Sequence, residues 1–224
     1  MPSQTDKLKK YFEPIKLGQT ELGNTLLVGL NYQFSQPKKQ GLAAMLAKLP
    51  LPIYLLRQKT LAVDVDLSCF VLDKKQTIIE TIWYGNLRNA SQSIRHQGDA
   101  LIGAKSFADA LLPQEQILLK MDKTPDAAHQ LIFVLSSYHN QPLKTAEKGM
   151  AYFGDKEKPK CHSVDFGQVD DDCQSLVLWQ MTRCDSDWQL SSPMYNLGIK
   201  KLTGKSIDTL TSAVNDYVQS QQRW

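Results

Sequence analysis

From Gly23 to Ser192 the chain is a succession of short apolar runs cut by turn residues, and this limits the fold more than any other feature. GNTLLVGLN (23–31) is apolar and bounded by Gly and Asn, the pattern of a buried strand. Ala62–Leu72 alternates. Val63, Val65, Leu67, Cys69 and Val71 fall on one face, and Asp64, Asp66, Ser68, Phe70 and Leu72 on the other. Thr77–Gly85 reads as its hairpin partner across Lys74-Lys75-Gln76. Glu115–Met121 is a further strand, and Gln130–Tyr138, rich in β-branched and aromatic residues, a central one. Met150–Gly154 and Cys161–Phe166 read as two short strands, and Gln174–Arg183 with Asp187–Ser192 as a hairpin. No helices alternate with these roughly eight or nine strands, which excludes a parallel α/β sheet and predicts an all-β fold, a two-sheet antiparallel β-sandwich.

Helical spacing occurs outside that series. Leu42, Met45, Leu46 and Leu49 share one helical face in Gly41–Leu49, and Pro50 and Pro52 end it. This predicts a short helical insertion at about residues 41–49. Thr5–Phe12 reads as a shorter helix stopped by Pro14, and Asn86–Lys105 as loop. From Ser206, a fitting N-cap, Ile207, Leu210, Val214 and Tyr217 recur at helical spacing. The expected division is a sandwich over 1–200 and a C-terminal helix and tail over 201–224.

Basic and acidic residues are interspersed and the net charge is only +3, which argues against a nucleic-acid partner. No run approaches the roughly 20 apolar residues of a membrane span, so direct membrane insertion is not expected. The N-terminus lacks an apolar signal core, and the expected location is cytoplasmic. Cys69, Cys161, Cys173 and Cys184 form no CxxC and read as reduced thiols. A zinc site from Cys161-His162, Cys173 and Cys184 lacks the usual paired spacing. Trp83, Trp179 and Trp188 lie on predicted strands and read as core, whereas Trp224 ends the chain.

Chemistry concentrates in Leu61–Gly103, where an acidic pair heads an apolar strand and a His-x-Gly-Asp loop follows. Asp64 and Asp66 stand on one face of that strand, about 7 Å apart. His96 either orders its loop by hydrogen bonding or acts as a base, and no Ser or Cys partner is placed for catalysis.

Five stretches in order resemble the TerD domain family. GNTLLVGLN is similar to its first strand, and AVDVDLSCFVLD to its D-x-D-x-S-x-F-x-L strand. WYGNLRNASQSIRHQGDALIG resembles its F-Y-x-N-L and H-x-G-D-N-x-x-G elements. QLIFVLSSY and VLWQMTRCDSDWQLSSPMYNLG resemble its closing strands. The resemblance implies a calcium-binding β-sandwich of tellurium-resistance and stress-response operons, without established enzymatic activity. It implies calcium at Asp64, Asp66, Asp99 and Glu115, the last after an insertion that contains Asp109. Its implied partners are other proteins of such an operon, a membrane-embedded one included. Past Gly103 the chain reads AKSFADALLPQE, where the family alternates Gly and Asp. There a short helix (106–112) with Phe107, Leu111 and Leu112, and Lys105 as counter-charge to Asp64 and Asp66, are the alternative to an ion. An assembly subunit without calcium, and a metal-dependent hydrolase using Asp64, Asp66, Asp99 and His96, are the competing functions.

Overall fold

The computed structural model describes residues 13–33, 62–98, 114–199 and 206–222. The helices expected at 5–12, 41–49 and 106–112, together with Asp99, Gly103, Lys105, Asp109 and Trp224, lie outside the described residues. Among the described residues the strands are β1 (Ile15–Lys16), β2 (Thr25–Gln33), β3 (Val65–Leu72), β4 (Ile78–Ile82), β5 (Ile94–His96) and β6 (Glu115–Lys120). They continue as β7 (Gln130–Ser137), β8 (Glu147–Asp155), β9 (His162–Asp165), β10 (Ser175–Cys184), β11 (Asp187–Ser191) and β12 (Tyr195–Asn196). Among the described residues one α-helix, α1 (Ser206–Gln221), follows them.

The strands make two antiparallel sheets, as the alternation predicts. One runs β1-β11-β10-β7-β3-β4, with β12 also on β10, and the other β5-β6-β2-β8-β9. Their facing sides carry the main core. Val65, Leu67, Cys69 and Val71 of β3 meet Leu26, Val28, Leu30 and Tyr32 of β2, all at most 2% exposed. Trp179 and Trp188 lie in the same cluster, as expected of core residues.

The other face of the first sheet is apolar only in part. Phe70, Leu72, Ile132, Val134 and Val177 are covered by Leu210, Val214, Tyr217 and Val218 of α1. The stripe of i, i+4, i+7 and i+8 residues gives the helix one buried side, which docks it as a third layer. The Tyr217 hydroxyl donates to Gln180 Oε1 at 2.7 Å, meeting the polar atom of an otherwise apolar contact. Burying each such aliphatic side chain stabilises by about 1.5–3 kcal/mol, so α1 belongs to the same packed body as the sandwich.

Two expectations are corrected. The stretch read as loop, Asn86–Lys105, contains β5, whose three residues pair with Ile117–Leu119 of β6. Three residues are too few to display a period of two. Trp83 is half-buried and not core. β4 ends at Ile82, and Trp83 exchanges both backbone hydrogen bonds with Asn86 across a tight turn. Its ring folds over Gly85, where a Cβ would collide with it.

Candidate functional site: the head of strand β3

β4 pairs with β3 only from Cys69 to Leu72. The first half of β3 therefore has no β4 opposite it, and its backbone groups on that side need other partners. The second sheet supplies them with side chains. Val65 N–H donates to the Tyr32 hydroxyl at 3.2 Å, and Leu67 N–H to Glu115 Oε2 at 2.7 Å. His96 Nε2 lies 3.2 Å from the Leu67 carbonyl and 3.4 Å from Glu115 Oε2. Gly98 N–H donates to His96 Nδ1 at 3.2 Å. With Nδ1 accepting, the neutral ring carries its proton on Nε2, which then donates toward Leu67 and Glu115. His96 thus orders its own loop and joins the sheets. Both side chains reach this place by strand alternation: Ile94 and His96 point inward on β5, and Glu115, Ile117 and Leu119 on β6.

Asp64 and Asp66 are carried on the opposite face of the strand. They are buried, at 6% and 5% exposure. Asp66 stands in register with Ser136 of β7, and Ser136 with Ser175 of β10. Ser68, Ser136 and Ser175 are buried as well, so this face is polar above the rows that α1 covers. All three carboxylates bear on the Tyr32 phenol. Burial pushes its pKa well above the ordinary tyrosine value, and the charges of Asp64, Glu115 and Asp66 add to the rise.

The structure therefore brings Asp64 and Asp66 together and turns Glu115 into the sandwich, where Leu67 and His96 engage it. Asp99 is outside the described residues. Among the described residues no three His, Cys, Asp or Glu side chains gather in a way that could hold a metal ion. This covers the cysteines too: Cys173 is buried, Cys161 exposed and Cys184 between the two.

Sequence reasoning missed an aromatic row beside the acidic pair. The Trp83 and Tyr84 rings lie 4.5 Å apart, Tyr84 and Tyr138 6.4 Å, and Tyr138 and His139 5.1 Å. Tyr84 follows β4 and Tyr138 follows β7, the strands on either side of β3, so their contact spans the head of β3. Tyr138 N–H donates to the Asp64 carbonyl at 3.0 Å. The available signal was Tyr138 itself, a large aromatic at the end of a strand, and it is 45% exposed.

The TerD domain model matches residues 19–198, and the chain belongs to that family. It is 27% identical over 156 residues to tellurium resistance protein TerZ of Serratia marcescens, covering 68% of this chain and 74% of TerZ. It is also 33% identical over 82 residues to stress response protein SCP2 of Bacillus subtilis strain 168, a match to 37% of that protein. Among solved structures it resembles a TerD homologue, SCO6318 of Streptomyces coelicolor A3(2), with a TM-score of 0.57 and 9% identity. That likeness covers 77% of this chain and 89% of the other. SAV2460, a protein of unknown function, superposes equally well, with a TM-score of 0.57 and 11% identity. No helix among the described residues is long and apolar enough to cross a membrane.

Proposed function

We propose that this chain is a non-enzymatic, cytoplasmic member of a tellurium-resistance or stress-response system, and that it binds one calcium ion through Asp64 and Asp66. The reading is supported by family membership and by the names of the relatives TerZ and SCP2. The single observation that carries the calcium half is the buried aspartate pair at the head of β3, Asp64 just before the strand and Asp66 within it. Calcium takes about 6–8 oxygen ligands. The pair fits as part of such a set, with Asp99 as the expected further carboxylate. Glu115 fits less well, because one oxygen is committed to Leu67 N–H inside the sandwich. Its working partners would be other proteins of the same operon.

Calcium titration followed by thermal unfolding tests this. Binding to the folded state alone stabilises by about 2.7 kcal/mol at a ligand concentration a hundredfold above Kd. The expected result is a calcium-dependent rise in Tm that Asp64→Asn with Asp66→Asn abolishes. No rise at millimolar calcium overturns the calcium half. It would favour a second reading, an assembly subunit that has lost the ion, in keeping with the commitment of Glu115 to Leu67 N–H inside the sandwich.

A further inference from the structure

We propose that Arg88 and Arg95 form a binding site for a phosphate group, which the two guanidinium groups hold between them. Arg95 is the middle residue of β5, and Arg88 lies opposite it in an isolated antiparallel bridge. Asn89 N–H donates to the Ile94 carbonyl at 3.2 Å and His96 N–H to the Leu87 carbonyl at 2.9 Å, so the hydrogen bonds flank the pair. In a pair of this kind the Cα atoms stand only about 4.5 Å apart and the side chains are at their closest. Ile94 and His96 are buried in the sandwich, so Arg95 and its opposite number Arg88 leave on the outer face of the second sheet. Lys120 shares that face, two positions along β6 from Leu118, the register partner of Arg95.

Like charges directly opposite one another destabilise a sheet, and a neighbouring carboxylate ordinarily offsets them. No ion pair among the described residues includes Arg88, Arg95 or Lys120. Glu80 reaches this loop, but its Oε1 accepts Ala90 N–H at 2.7 Å. Arg95 Nε is buried and has no hydrogen-bond partner among the described residues. A stem lying along Leu118 accounts for one long side chain on this face, not for a second of the same charge opposite it. Charge and shape choose the ligand. A guanidinium presents its N–H groups in a planar fork that matches phosphate oxygens in pairs. Two forks beside an ammonium suit a dianion with several oxygens better than chloride or a single carboxylate. Asp64 and Asp66 stand at the head of β3, in the other sheet, so the site does not rest on the calcium reading.

The probe is inorganic phosphate, titrated against the full chain at constant ionic strength without added calcium. The arginine Nε–H signals are followed by NMR, and Tm is measured alongside. Saturable shifts at Arg88 and Arg95 are expected with phosphate and not with acetate or chloride. Arg88 is exposed, so Arg88→Ala keeps the fold. It should weaken phosphate at least about tenfold through the lost charged hydrogen bonds. Its phosphate-free Tm should stay at or above that of the parent, because a like-charge contact is gone. Arg88→Lys, which keeps the charge without the fork, should bind with intermediate strength. Glycerol phosphate and vesicles of phosphatidylcholine with phosphatidic acid are compared with the free ion. The tightest of the three identifies the source as a soluble ester, a lipid headgroup or phosphate itself. No saturation by inorganic phosphate up to about 20 mM overturns the proposal. So do equal shifts with acetate, undiminished binding by Arg88→Ala, or a marked fall in the phosphate-free Tm of that variant, which would make the pair a brace for the sheet edge.

Discussion

Glu115→Ala tests whether this residue braces the sheets. The carboxylate is 1% exposed, accepts Leu67 N–H at 2.7 Å and lies 3.4 Å from His96 Nε2. A hydrogen bond to a charged group contributes about 1.5–3 kcal/mol, and a buried donor left without a partner adds its desolvation cost. The two contributions together come to about 3–5 kcal/mol. At about 2–4 °C per kcal/mol for a chain of this size, Tm should fall by roughly 6–20 °C. Glu115→Gln keeps an oxygen for Leu67 N–H and should cost about 1–2 kcal/mol, the difference between a charged and a neutral hydrogen bond. Urea unfolding followed by the fluorescence of buried Trp179 reads both variants, once with calcium and once with chelator. A brace destabilises equally in the two conditions, in the order alanine worse than glutamine. If Glu115→Ala unfolds within about 0.5 kcal/mol of the parent, or loses stability only in calcium, the brace reasoning is wrong.

Three further outcomes follow from particular contacts. Leu210→Ala empties a 3%-exposed position under α1 and should cost about 2–4 kcal/mol in urea unfolding; a loss below about 0.5 kcal/mol would mean the helix is not held by that face. Asp155 accepts backbone hydrogen bonds from Gly23, Glu157 and Lys158, and those from Gly23 and Lys158 chiefly hold its pKa below the ordinary carboxylate value. A depressed folded-state pKa contributes stability that is present above the unfolded value of about 3.9 and is lost as pH falls through the folded value. The advantage of the parent over Asp155→Asn should therefore shrink on acidification below about pH 4, and a gap that stays constant would contradict it. Cys161 is exposed, whereas burial raises the pKa of Cys69, and that of Cys173 to about 12. A thiol reagent at neutral pH should thus label Cys161 in the native protein and reach Cys69 and Cys173 only on unfolding. Native labelling of Cys69 would count against its placement in the core.

Long periodic segments were readable in the sequence and short pairings were not. β2, β3, β7, the β10–β11 hairpin and α1 each repeat their period several times, and each lies where the pattern put it. β1, β5 and β12 span two or three residues and exist only because a longer neighbour offers them an edge. The site divides in the same way. Alternation alone set Asp64 and Asp66 on one face, away from Val65 and Leu67. The same alternation, applied to Glu115, Ile117 and Leu119, would have turned Glu115 inward; resemblance to an acidic loop placed it with the aspartates instead. Its actual bond to Leu67 depends on β4 leaving β3 at Cys69, a tertiary event with no local signature. Tyr84 and Tyr138 were invisible for a similar reason, being fifty-odd positions apart in sequence and joined only across β3.

The layer formed by α1 also bears on how the protein is made. Synthesis proceeds from the N-terminus at about 5–20 residues per second, and N-terminal parts fold first. Phe70, Ile132 and Val177 leave the ribosome well before Leu210, Val214 and Tyr217, the residues that cover them. β1 likewise waits for β11, with Ile15 paired to Leu190. During that interval a nascent chain presents an uncovered apolar sheet face and an unfinished sheet edge, both of which invite self-association. A stop codon ahead of α1 would make that interval permanent, so the last sixteen-residue helix governs the solubility of everything translated before it.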